Sequence, residues 1–295
     1  MSIDSLNYSD LAFLIGNGIN RYPADPQNRS WNSLLKNIYN DLTDDYISEI
    51  PKGIHLTEFY ELILLKQKSG KNKKNKLKDL RGLFLDYLDN WDVNSNHYLK
   101  IMDSIKELNV PVMTTNFDDL LEKTTNSSIS WTMKDRSKGF TSYYPWESYY
   151  SDDYKNNPFQ NFSIWHIQGQ KYYKNSLKLG VRHYLKMIER ARKWLPSSNP
   201  KNTAKKYFKT WLRLFFEKDL FIFGLGLSEQ ELFLRWILLE RERYFRRNPQ
   251  KRKRGWYVFI EEIDDKNPGK KFYLDRLGFE YKIFPTKKSF YEDFW

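Results

Sequence analysis

Leu11-Ala12-Phe13-Leu14-Ile15-Gly16-Asn17-Gly18-Ile19-Asn20 is the stretch on which the fold turns. Five consecutive apolar residues with no polar alternate suit a strand buried on both faces, as in a parallel sheet covered by helices. Gly16 and Gly18 then allow a tight turn and a close approach of backbone to a phosphate. The spacing departs from G-x-G-x-x-G, because Arg21 stands at the third glycine position. By itself the pattern fits both a nucleotide loop and a plain strand-to-loop turn.

The same apolar run followed by a polar or glycine turn recurs along the chain. Val110–Met113 leads into Thr114-Thr115-Asn116-Phe117-Asp118, and Phe162–Ile167 into His166-Ile167-Gln168-Gly169. Leu220–Phe223 leads into Gly224-Leu225-Gly226-Leu227-Ser228, while Trp256–Ile260 and Tyr281–Phe284 complete the set. Helical spacing separates them at Ser30–Leu42, Thr57–Lys66, Leu77–Leu88, Asn96–Leu108, Gly180–Leu195, Ala204–Glu217, Glu229–Arg247 and Lys270–Leu277. A further helix starts over Phe117–Lys123, with Asp118 and Asp119 in its first turn, where acidic groups suit the helix dipole. Short apolar strands alternating with helices predict an α/β fold with a doubly wound, Rossmann-like parallel sheet. The chain reads as a single domain over residues 1–295, with a helical insertion at about 50–100 and an irregular Tyr-rich loop at about 137–161.

Ligands of open α/β sheets sit at the carboxyl ends of the strands, so the turn residues are the candidates for chemistry. Thr115, Asn116 and Asp118 could face such a crevice or simply cap a helix. His166 ends a strand, where an imidazole can serve as a general base near neutral pH or fill a structural place. Ser228 could bind phosphate or ribose, or cap the helix that follows. His55, His97 and His183 lie in helical segments and receive no role.

The 295 residues carry a formal net charge of +12, which favours anionic partners without choosing among nucleotides, nucleic acid and acidic proteins. The basic runs at 70–76 and 251–254 read as solvated loops or as contacts with nucleic acid or a partner. There are 10 Trp, 21 Tyr and 20 Phe, more rings than a core can hold, so some line grooves or face solvent. Cysteine is absent, which excludes disulfides, thiolate catalysis and Cys-based zinc sites. No apolar run approaches the roughly 18 residues of a membrane span, and residues 1–10 lack a secretory pattern, so a cytoplasmic location is expected.

Taken in order, G-N-G-I-N, S-W-x-x-L-L, T-T-N-F-D, H-x-x-G and G-L-G-x-S resemble the SIR2 family over roughly residues 11–285. The pattern is most similar to bacterial SIR2-like NAD⁺ hydrolases of anti-phage defence. The resemblance implies that Gly16, Asn17, Gly18 and Asn20 serve the pyrophosphate and nicotinamide ribose. It places Asn116 against that ribose, Thr115 in the same motif, and Asp118 on the carboxamide. His166 would engage the ribose hydroxyls and help activate the nucleophile, and Gly224, Gly226 and Ser228 would support the adenosine side. Asn116 and His166 are thus the expected catalytic pair, NAD⁺ the expected substrate, and no metal is expected. Protein-deacylating relatives carry Gln where Thr115 stands, Ser or Thr where Asn20 stands, and a four-cysteine zinc module. The missing cysteines move the expectation from deacylation or ADP-ribosyl transfer toward hydrolysis of NAD⁺ to nicotinamide and ADP-ribose. A non-catalytic module that senses NAD⁺ or ADP-ribose is the other reading. Because the core takes up nearly the whole chain, the resemblance further implies an abortive-infection effector switched on in trans. The trigger would be homo-oligomerisation or a separate ATPase- or Argonaute-like sensor, with any nucleic-acid contact indirect and no membrane involved.

Overall fold

Strand β1 (Leu11–Ile15) is wholly buried and pairs in parallel on both sides, as its unbroken apolar run requires. These features come from a computed structural model that describes residues 10–23, 29–69, 80–92, 96–132, 145–196, 207–265 and 267–295. On one side of β1 lies β2 (Pro111–Thr114), with Ile15 opposite Thr114. Further strands are β3 (Ser128–Trp131), β4 (Ser148–Ser151), β5 (Ser163–His166), β6 (Asp219–Phe223), β7 (Gly255–Ile260) and β8 (Glu280–Phe284). Among the described residues they form one sheet in the order β3-β4-β5-β2-β1-β6-β7-β8.

The six strands from β5 to β8 in that order are parallel, and counted by sequence they run 3-2-1-4-5-6, the Rossmann order. The order reverses between β1 and β6, which creates a crevice at their carboxyl ends. All six are the strands expected from the apolar runs. The remaining pair, β3 and β4, is antiparallel and extends the β5 edge. β4 therefore corrects the expectation of an irregular loop over 137–161: Ser148–Ser151 is a fully buried strand. Residues 137–144 of that stretch and the basic run at 70–76 lie outside the described residues.

Helices α1 (Trp31–Leu42), α2 (Leu56–Ser69), α3 (Leu80–Asp89) and α4 (Asn96–Glu107) connect β1 to β2. Ser30 caps α1 by accepting from the Ser33 amide at 3.1 Å. α4 presents Tyr98, Ile101, Met102 and Ile105 on one face at helical spacing, and they pack on Leu11, Phe13 and Val112 of the sheet. α1, α2 and α3 instead build their own cluster around Leu35, Ile38, Ile63 and Phe84, which stands over the crevice. The opposite sheet face is covered by α6 (Val181–Trp194), α7 (Leu212–Glu217), α8 (Leu232–Arg247) and α10 (Pro268–Arg276). Short helices α5 (Leu120–Thr125), α9 (Glu261–Asp264) and α11 (Lys287–Tyr291) complete the layers.

α5 begins at Leu120, so Asp118 and Asp119 precede it rather than occupying its first turn. Asp118 Oδ1 takes the Leu120 amide at 3.1 Å and ends the extended segment there. The run at 251–254 is tied into the fold. Arg252 grips Glu242 through two bonds of 2.9 and 3.0 Å, and Lys253 reaches Asp10. The Arg254 amide donates to Asp219 at 2.7 Å. Buried Arg241 donates to the carbonyls of Phe215, Lys218, Lys253 and Arg254, clamping this turn against β6.

The two glycine turns interlock at the switch point. Gly16 N donates to Phe223 O at 3.0 Å and Gly18 N to Gly224 O at 2.7 Å. A Cβ on Gly16 would collide with the Gly224 carbonyl, and one on Gly18 would stand 2.6 Å from Gly224 Cα. Gly224 itself has φ +65°, a conformation that favours glycine. Gly16→Ala is accordingly expected to lower stability by about 1–3 kcal/mol and to push the two turns apart. Denaturant unfolding checks this, and a change under about 0.5 kcal/mol would show that the turns are not tightly packed.

Candidate active site

The carboxyl ends of the parallel strands open into a cavity of about 410 Å³, within the usual range for a small-molecule site. Asn17, Gly18, Thr115, Asn116, Asp118, Gly224 and Gly226 line it, so the structure brings turns from three strands to one place. Trp31 of α1, Phe84 and Leu88 of α3, Trp91 just past α3 and Phe117 of the loop after β2 form an apolar wall. The far wall holds Lys270, which bonds Asp264 and lies 3.2 Å from the Tyr257 hydroxyl.

Gly16, Asn20, His166 and Ser228 do not line the cavity. Gly16 acts through the turn packing already described. Asn20, 2% exposed, donates to Asn17 Oδ1 at 2.8 Å and to Asp118 Oδ2 at 2.9 Å, locking two cavity residues together. Ser228 contributes its carbonyl, which accepts the Glu231 amide at 3.0 Å.

Asn116 sits two residues past β2. Its backbone is fixed: the Thr114 hydroxyl donates to Ile15 O at 3.0 Å and accepts the Asn116 amide at 3.1 Å. Its side chain is the reverse case. Asn116 is 4% exposed, yet neither Oδ1 nor Nδ2 has a partner among the described residues. A buried amide with both ends unanswered costs stability, and at a cavity wall it marks a place for a polar ligand.

Asp118 is buried among these groups. Burial raises its carboxyl pKa to about 6, against the bonds from the Leu120 amide and Asn20, with Glu122 adding to the rise. Keeping Asp118 ionised at neutral pH costs the fold roughly 3 kcal/mol. Because the folded-state value is raised, the folded protein holds the proton more tightly, and stability falls as pH climbs from about 4 to about 6. Asp118→Asn should therefore stabilise the protein by about 1–2 kcal/mol above pH 6, with no gain below pH 4. Urea unfolding across that range tests it; a gain independent of pH would rule out the ionised carboxylate as its source.

His166 lies behind the cavity wall and is 1% exposed. Its Nδ1 donates to the Asn116 carbonyl at 2.8 Å, and Nε2 lies 2.7 Å from Glu122 Oε1. Burial opposes a charge on this ring, but the Glu122 carboxylate and the Asn116 carbonyl outweigh it and raise the pKa. Both ring nitrogens are thus occupied by protein groups. The expectation that His166 meets the ribose from a strand end has a different outcome: the ring turns inward to Glu122 and touches the site through the backbone of Asn116.

The group that reaches the cavity beside Asn116 is Gln168. Thr114 pairs with His166 across β2 and β5, so Asn116 and Gln168 stand at matching positions two residues beyond. Gln168 is 3% exposed, receives the Tyr184 hydroxyl at 3.2 Å and donates to Glu231 at 3.3 Å. Glu231 also lines the cavity, and burial raises its carboxyl pKa while Gln168 opposes the rise. The motif reading missed both. Counting residues from paired strand ends would have pointed to Gln168; no local signal marks Glu231.

A family model for the SIR2-like domain matches residues 111–281. The chain belongs to this SIR2-like family. The match runs from β2 into β8, and β1 with its glycine turn is joined to it by pairing with β2 and β6. No curated protein matches the chain. SIR2-like domains use NAD⁺, and membership gives this chain an NAD-related function. The site suits such a ligand: glycine turns at the switch point, an orphaned amide, and an apolar wall for an aromatic ring. No described helix is long and apolar enough to cross a membrane.

Proposed function

We propose that this SIR2-like domain is an NAD⁺ glycohydrolase that releases nicotinamide and ADP-ribose. The observation that carries the reading is Asn116, buried at the cavity with both ends of its amide unpaired among the described residues. The glycosidic bond of NAD⁺ breaks through a transition state with oxocarbenium character. Nicotinamide already carries the positive charge and leaves without being protonated. The protein has to orient the ribose, exclude bulk water and admit one nucleophile. Asn116 supplies a donor and an acceptor for the ribose or the water, and Asp118 an anchor for the carboxamide. The wall of Trp31, Phe84 and Phe117 shelters the ring from solvent. His166 holds the backbone of Asn116 in register.

Unrestrained NAD⁺ loss harms the cell that makes the enzyme. The reading therefore includes an antiviral, abortive-infection role in the cytoplasm, switched on by homo-oligomerisation or by a separately encoded ATPase- or Argonaute-like sensor. The test is incubation of the full chain with NAD⁺, alone, concentrated, and with neighbouring gene products, measuring nicotinamide. Release in at least one arm is expected. NAD⁺ binding with no release in any arm would instead favour a non-catalytic sensor, and neither binding nor release would remove the NAD⁺ reading altogether.

A further inference from the structure

We propose that Glu231 is the group that takes the proton from the attacking water, and that Gln168 is the positioning residue that aims it. This inference rests on the glycohydrolase reading and names the base within the same cavity.

Among the described residues three carboxylates line that cavity: Asp118, Glu231 and Asp264. Asp118 has both oxygens engaged, by the Leu120 amide and by Asn20. Asp264 likewise bonds Lys270 through one oxygen and the Ile260 amide through the other. Glu231 differs. Its Oε2 accepts from Gln168 at 3.3 Å, and Oε1 has no hydrogen bond among the described residues. A carboxylate held at one oxygen and open at the other, on a cavity wall, has the arrangement of a general base.

Gln168 cannot itself take a proton, but its orientation is set. The Tyr184 hydroxyl donates to Oε1, which turns the NH₂ end toward Glu231. His166 is no competitor for the role, since both its nitrogens are used inside the protein. Gln168 lies two residues past β5 and Asn116 two residues past β2, whose last residues pair, and Glu231 immediately precedes α8, so base, positioning amide and ribose-orienting amide all stand on the wall of one cavity. Burial raises the Glu231 pKa, which suits a base working near neutral pH.

The step balances as follows. Water oxygen bonds to the ribose C1′, the C1′–N bond breaks and its electron pair stays on neutral nicotinamide. The water proton passes to Glu231 Oε1 and then to solvent. The products are ADP-ribose, nicotinamide and one proton.

Gln168 faces Glu231 from the loop after β5, and behind it stands Tyr184 of α6. One turn along α8, Arg235 is turned to Leu227 O and the Tyr273 ring. Across the cavity stand Asp118 and Asp264. Since the base acts when ionised, turnover should rise with pH through the Glu231 pKa. Removing the Gln168 donor disfavours the ionised form, so Gln168→Leu should move this limb to higher pH.

The experiment measures nicotinamide release and NAD⁺ binding for the full-length wild type, Glu231→Gln and Gln168→Leu over a range of pH and protein concentration. Glu231→Gln should lose about 100-fold to 10,000-fold in kcat while binding NAD⁺ within about threefold of wild type. Gln168→Leu should keep much of its turnover at high pH with the limb displaced upward. Turnover by Glu231→Gln near the wild-type rate, or an unmoved limb in Gln168→Leu, overturns the assignment and leaves the glycohydrolase reading standing. A wild type that binds NAD⁺ but never releases nicotinamide overturns both.

Discussion

Asn116→Ala is expected to cut nicotinamide release by at least about 100-fold, the usual cost of losing one aimed polar group at a reacting centre. The same variant should melt no earlier than wild type. In the free protein Asn116 is 4% exposed, and neither end of its amide has a partner among the described residues. An unpaired buried polar group costs about 1–3 kcal/mol, so its removal relieves the fold while depriving the substrate. A rise in stability paired with lost turnover is the mark of a side chain kept for its ligand. Rates at saturating NAD⁺ alongside thermal melts check both halves. Turnover within a fewfold of wild type would take Asn116 out of the chemistry.

His166→Ala should behave in the opposite way, failing through the fold first. It strands Glu122, a buried carboxylate whose Oε2 already lacks a partner among the described residues, and frees the Asn116 carbonyl. Breaking a buried pair by removing one member typically costs about 3–5 kcal/mol. Glu122→Gln is the milder change, because an amide can still meet the neutral ring. The pH dependence follows from the raised His166 pKa. The ion pair contributes fully below about pH 6.5, the ordinary imidazole value, and is lost as pH rises through the raised folded-state value. The stability gap between wild type and Glu122→Gln should therefore close at alkaline pH. Denaturation of both proteins across pH measures it. A gap that stays constant, or a His166→Ala protein as stable as wild type, would show that the pair is not ionised or not buried as described.

These two outcomes separate residues that the motifs place on the same footing. Asn116 and His166 both follow apolar runs, yet one faces the cavity and the other the interior. Similar divergence marks the sheet edge. Ser128–Trp131 and Ser148–Ser151 are short and carry no long apolar run, and it is pairing with each other and, for β4, with β5 that makes them strands. β4 is buried because β3 and β5 flank it, a circumstance no local window contains. Within the helix expected over 204–217, Leu212–Glu217 is an α-helix whose Leu212, Leu214, Phe215 and Phe216 meet the core.

By itself the sequence determined the six parallel strands, the strand-end positions of the turns and the exclusion of cysteine chemistry. Each of these rests on local chemistry. Unbroken apolar runs demand burial on two faces, and Gly16, Gly18 and Gly224 stand where backbones must touch. What only the tertiary structure decided is which strand-end side chains reach the crevice. At the last paired residue and beyond it, the alternation of a strand no longer settles which side chains meet the crevice, and hydrogen bonds set the side-chain direction instead. Those bonds come from distant partners: Glu122, 44 positions before His166, turns that ring inward. Glu231, 63 positions after Gln168, meets the amide that stands at the cavity in its place.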